Sequence, residues 1–94
     1  MTVPHIVETL YKIPVQLKQA QFGRSKKNRP YARVDVTPLA PLPPALANWN
    51  MSFVAMQDLL TPILEVGKNG LLVLTVDADP YDPAFCVQKI TKAT

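Results

Sequence analysis

The sequence predicts an all-β fold, a small five-stranded Greek-key barrel of OB type with at most one short helix. Three observations point there. Ten prolines against three glycines in 94 residues oppose long helices and favour short strands joined by stiff connections. Short runs rich in β-branched and aromatic residues alternate with turn-forming clusters. Apolar residues make up 48% of the chain and charged ones 18%, which is enough apolar side chain for a packed core. The length suits one domain, residues 1–94, with a core small enough that self-association would help it.

The elements follow in order. His5 to Ile13 reads as a first strand that Pro14 interrupts. Val15 to Phe22 resumes it, with Val15 and Leu17, then Ala20 and Phe22, facing one way. The phase slips near Lys18 and Gln19, which predicts a bulge of the kind that bends a strand into a small barrel. Phe22 is expected in the core. Gly23 to Arg29 is the expected turn and Pro30 to Val36 the returning strand, so the unit is a basic hairpin. Thr37 to Pro44 is a proline-dense connection. Its two P-x-x-P matches have no basic residue immediately beside them and read as stiff linker rather than as a ligand for a proline-reading domain.

Met51 to Met56 fits a strand or a helix. The favoured reading is a strand running into a short helix, because Phe53, Met56, Leu59, Leu60 and Ile63 follow helical spacing and Ser52 is a candidate cap. Trp49, between two asparagines, reads as a partly buried anchor, with an exposed stacking role as the alternative. Ile63–Val66, Gly67–Gly70 and Leu71–Val76 predict a second hairpin, its last strand central and buried on both faces. Asp77 to Pro83 is an acidic turn that lacks the glycine and distant glutamate of a helix-loop-helix calcium site. Phe85 to Ile90 is the expected last strand.

Charge is unevenly spread. The chain carries a formal +3. Residues 1–33 hold seven of the ten basic side chains against one acid, Glu8, a local +6; residues 34–94 hold three lysines against six acids, a local −3. Arg24, Lys26, Lys27, Arg29 and Arg33 fall within ten residues with no acid among them. Held on a folded platform, such a run attracts phosphates and releases counterions. Lys18, on the strand leading in, joins this candidate set. Tyr11, Phe22 and Tyr31 lie among the cations, and aromatic rings between cations suit single-stranded nucleic acid, whose bases stack on them. Tyr31 is the candidate stacking residue; packing on a neighbouring strand is its other reading.

Catalytic and metal chemistry have little to work with. Cys86 and His5 are the sole residues of their types, which leaves no intramolecular disulfide, no Cys-rich zinc site and no Ser-His-Asp set. A Gly-rich phosphate loop is also missing. No enzyme activity, metal or cofactor is expected. No run of about 18 apolar residues occurs to span a membrane, and Met1 to Glu8 lacks the basic start and apolar stretch of an export signal. The expectation is a soluble protein of the reducing cytoplasm.

Gln19-Ala-Gln-Phe22, Arg24-Ser25 and Arg29-Pro30-Tyr31 together resemble the gene V type single-stranded DNA-binding proteins of filamentous bacteriophages, which carry Gln-Ala-Gln-Phe, Arg-Ser and a Lys-Pro-Tyr return around a longer basic tip. Val66-Gly67-Lys68-Asn69-Gly70 leading into Leu71–Val76 is similar to the family's Val-Gly-x-x-Gly hairpin, although Asn69 stands where the family places an aromatic. The resemblance spans about a third of the chain. It implies an OB-type barrel, a symmetric homodimer and cooperative coating of single strands with little sequence preference. By position it makes Arg24 a phosphate contact and Tyr31 a stacking residue. The expected function is thus non-enzymatic binding of single-stranded DNA, in the replication of a phage or other mobile element acting in its host's cytoplasm, with RNA as a possible substitute. The alternative is a protein-interaction module that sets its basic face, Trp49, Phe53 and the Pro-rich edge against an acidic partner.

Overall fold

The computed structural model describes residues 10–93. Five antiparallel strands form one sheet: β1 (Leu10–Arg24), β2 (Pro30–Pro38), β3 (Ser52–Met56), β4 (Leu71–Asp77) and β5 (Val87–Lys92). The order is β3-β2-β1-β4-β5. Strands β1 to β3 are neighbours in sequence order and β4 returns to lie beside β1, the spatial order of a Greek key. One helix, α1 (Leu60–Val66), follows a single 3-10 turn at Gln57–Leu59 and lies on the connection from β3 to β4. The sheet curls into a half-barrel, and the fold is the small OB-like one that the sequence predicts. The expected segment His5–Thr9 lies outside the described residues.

The long strand β1 organises the sheet. Its first part, Leu10–Gln16, pairs with β4, while Val15–Arg24 pairs with β2. The register on β2 jumps between Leu17 and Gln19, so Lys18 is the extra residue of a bulge, at the expected phase slip. Both backbone groups of Leu17 turn toward the loop before β4: its N–H donates to the Gly70 carbonyl at 2.8 Å, and its carbonyl accepts from Asn69 N–H at 3.0 Å.

Pro14, contrary to expectation, does not interrupt the strand. It sits within β1 opposite Val73. The N and C=O of one strand residue point to the same side, and the Pro14 carbonyl accepts from Leu39 N–H at 2.9 Å, just beyond the end of β2 at Pro38. The missing N–H therefore faces Leu39 at the very end of the β2 ladder, and the proline forgoes at most that one terminal bond.

Alternation places Ile13, Val15 and Leu17 of β1, Val34 and Val36 of β2, Phe53 of β3, and Leu72, Leu74 and Val76 of β4 inside, all at most 4% exposed. Ile90 of β5 closes one side, and Leu60 and Ile63 of α1, three residues apart on one helical face, plug the end. Strand β4 is central but not buried on both faces as expected: Leu71 is 44% exposed, because no second layer covers the outer side.

Two further expectations are corrected. Residues 63–66 are helical, so Gly67–Gly70 joins a helix to a strand and is not the turn of a β-hairpin. The run Ile-Leu-Glu-Val is too short for periodicity to separate the two states, and Ile63 gains more by pairing with Leu60 on the barrel plug. Gly70 is required there by space, since a Cβ would lie 2.3 Å from the Val66 Cβ. Ser52 caps nothing, lying in β3 as its first residue. The favoured reading of residues 51–60, a strand running into a short helix, is what the chain adopts, β3 ending at Met56 and α1 beginning at Leu60.

Candidate nucleic-acid interface

The β1–β2 hairpin continues past the bulge, its strands paired as far as Arg24 and Pro30. The turn is therefore tighter than the expected 23–29. Asn28 N–H donates to the Ser25 carbonyl at 2.8 Å and Ser25 N–H to the Arg29 carbonyl at 2.9 Å. Asn28 takes the left-handed conformation, φ 63°, which its short polar side chain tolerates better than most. This is the three-residue hairpin loop built on a type I turn. Ser25 Oγ accepts from Arg29 N–H at 3.2 Å, and Arg24 Nη1 donates to the Asn28 carbonyl at 3.1 Å. Lys26 and Lys27 occupy the two central turn positions and are exposed, as are Arg24 and Arg29.

Cross-strand pairing sets which residues share a face. Gly23, Tyr31 and Met56 lie in one row across β1, β2 and β3; Gln21, Arg33 and Val54 form the next row; Gln19, Asp35 and Ser52 form the third. The opposite face of β2 carries the buried Ala32, Val34 and Val36, so these three rows form the outer face. Tyr31 is half-buried there and lies across Gly23: a Cβ at Gly23 would meet its Oη at 2.9 Å and its Cζ at 3.0 Å. Glycine at this position is what lets the ring settle onto the sheet.

The structure thus brings Arg24, Lys26, Lys27 and Arg29 to the tip of one rigid ribbon and sets Tyr31 and Arg33 on the outer face just behind it. Among the described residues the ion pair that forms, Lys92 with Glu65, involves none of these cations. Their positive potential is left to the solvent. Lys18 is set apart. As the bulged residue it lines, with Phe22, a groove of ≈ 440 Å³ against Ile63, Leu64 and Lys68, away from Tyr31. Phe22, expected in the core, is 55% exposed. It faces the inner side, opposite Ala32, but the hairpin has by then run beyond the closed part of the core and only the open groove lies beneath it.

Trp49 is partly buried, as expected of an anchor, and its Nε1 donates to the Ser52 carbonyl at 3.1 Å. It walls a second cleft of ≈ 610 Å³ that opens beside Arg33. Sequence reasoning missed that cleft, because β2, the 48–54 segment and the turn before β5 supply its walls. Phe53 is 2% exposed and so gives a docking partner nothing to grip.

Among the described residues no group of three His, Cys, Asp or Glu side chains is placed to hold a metal ion. No described helix is long and apolar enough to cross a membrane. Cys86 is buried and free. Burial pushes its thiol above the ordinary value, and the Asp77 carboxylate adds to the effect, so it is a poor nucleophile.

The outer face is that of a small OB-like sheet carrying a cationic hairpin tip and a half-buried surface tyrosine. Scanned against known protein families, curated proteins and solved structures, the chain matches none.

Proposed function

We propose that the chain is a non-enzymatic binder of single-stranded DNA with little sequence preference. The observation that carries this reading is the placement of Tyr31 on the outer face, behind a hairpin tip whose four cations form no ion pair among the described residues. Lys26, Lys27 and Arg29 neutralise phosphates as the strand crosses the tip. Arg24 does so more weakly, since it also braces the turn. The strand then passes Tyr31, whose ring stacks on a base, and Arg33 engages the next phosphate. Every base has a π-face, so such binding tolerates sequence. The resemblance of residues 19–31 to phage gene V type proteins supports the same reading and adds cooperative coating by a homodimer.

The test is titration with labelled oligothymidine at two salt concentrations. Affinity should fall steeply with salt, with a slope of about 0.7 per phosphate contacted. Tyr31→Ala should weaken binding about tenfold or more, in line with the roughly 1–3 kcal/mol that stacking one base provides, while leaving the melting temperature unchanged. Equal affinity for the variant would remove Tyr31 from the interface. A matched RNA strand in parallel separates DNA from RNA preference.

A further inference from the structure

We propose that the cleft beside Arg33 is a nucleobase pocket on the path of the bound strand, and that it favours bases carrying an exocyclic amino group. This rests on the single-strand reading above and adds a specificity to it. The cleft is lined by Arg33 and Asp35 of β2, the Asn48–Asn50 segment, Ser52–Val54 of β3, and Pro83 and Ala84. It lies on the same outer face as Tyr31, two and four strand positions further along β2, so a strand leaving the Tyr31 ring reaches it within about 13 Å at the rise of a β-strand.

Its chemistry differs from that of the hairpin tip. Arg33 and Asp35 bring opposite charges to one pocket. Apart from the phosphate that Arg33 meets at its edge, the site is near neutral overall and suits an uncharged, polar, planar group. The apolar sides of Trp49, Val54 and Pro83 supply walls for such a ring, and the size of the cleft falls within the range typical of small-molecule sites.

The polar groups are held in place with hydrogen-bonding capacity to spare. Asp35 Oδ1 accepts from Ser52 Oγ, and no other hydrogen bond to the Asp35 carboxylate forms among the described residues, which leaves Oδ2 to accept. Asn50 Oδ1 accepts from Ser52 N–H at 3.1 Å, leaving its amide nitrogen to donate. Trp49 Nε1 is fixed on the Ser52 carbonyl. Met51, between them, takes a positive φ of 61°, a conformation unusual for a non-glycine residue and found where surrounding structure enforces it. The walls are therefore preformed. The Asp35 carboxylate accepts from an exocyclic amine such as cytosine N4, while the Asn50 amide and Arg33 can donate to that base's N3 and O2; the O4 of thymine can use the donors but not the carboxylate.

The experiment compares labelled oligodeoxycytidine and oligothymidine of equal length by anisotropy, while following the emission of Trp49, the sole tryptophan. Oligodeoxycytidine should bind about tenfold tighter and should perturb Trp49 more. In Asp35→Asn the side chain keeps an acceptor for Ser52 and gains a donor suited to thymine, so the preference should collapse while oligothymidine binding is retained. Equal binding of the two oligonucleotides, or a preference that survives Asp35→Asn, overturns the pocket and leaves single-strand binding standing. Failure of both to bind removes the single-strand reading, and the pocket with it.

Discussion

At the scale of single residues, the contact between Tyr31 and Gly23 is the most exposed to mutation. Gly23→Ala places a methyl where the Tyr31 ring now lies, so the ring must lift. The expected outcome is a several-fold loss of oligonucleotide affinity with little loss of stability, measured by titration beside a melting curve. Cys86 offers a second test. Its folded-state pKa is raised by burial above the ordinary 9.0, so the stability linked to the protonated thiol is complete below that value and fades as pH rises through the folded one. The melting temperature should drop more steeply at alkaline pH for the wild-type chain than for Cys86→Ala, and native Cys86 should resist alkylation until the protein unfolds. Phe22 shows what a residue pattern leaves out. Its phase is right for an inward position, and it does point inward, but alternation says nothing about whether a barrel lies underneath.

At the scale of elements, the hairpin tip depends on Asn28 and Ser25 more than on any glycine. Asn28→Ala puts a less tolerant side chain at φ 63° and should destabilise the hairpin by about 1 kcal/mol, whereas Asn28→Gly should be nearly neutral. Chemical denaturation of the two variants distinguishes them. The bulge was legible because Val15 and Leu17 share one phase and Ala20 and Phe22 the other. The helix at residues 60–66 was only half legible. Leu60 and Ile63 gave helical spacing, but Ile63–Val66 also read as the first arm of a hairpin, and tertiary packing at the barrel end decided between them. The tip cations and Tyr31 were readable from composition. The cleft was not, because Arg33, Trp49 and Pro83 are brought together by the fold from three distant places in the sequence.

At the scale of the whole molecule, the polarity of charge seen along the sequence becomes a polarity in space. The cations concentrate on one projecting ribbon, while Asp77, Asp79 and Asp82 lie around the far end of β4. If the ribbon binds single strands as proposed, Lys26→Ala with Lys27→Ala should lower the salt slope of oligonucleotide binding by about 1.4 in all, at about 0.7 per phosphate contact. The homodimer that the resemblance implies is checked by the mass of the protein–oligonucleotide complex in solution. The core sets the stability of the whole: Phe53→Ala should cost about 3–5 kcal/mol, read from denaturant midpoints, since Phe53 sits at 2% exposure among strands β2 and β3.

The position of Pro14 carries a consequence for folding fidelity. Sliding β2 further along β1 would set one of its carbonyls against a nitrogen that has no hydrogen to give. The imino acid should thus act as an end-stop, because the correct alignment meets it only at its last rung, whereas a slipped one would carry the gap into the ladder. Replacing it with valine should preserve the native sheet yet admit slipped pairings during refolding, detectable as an added slow phase.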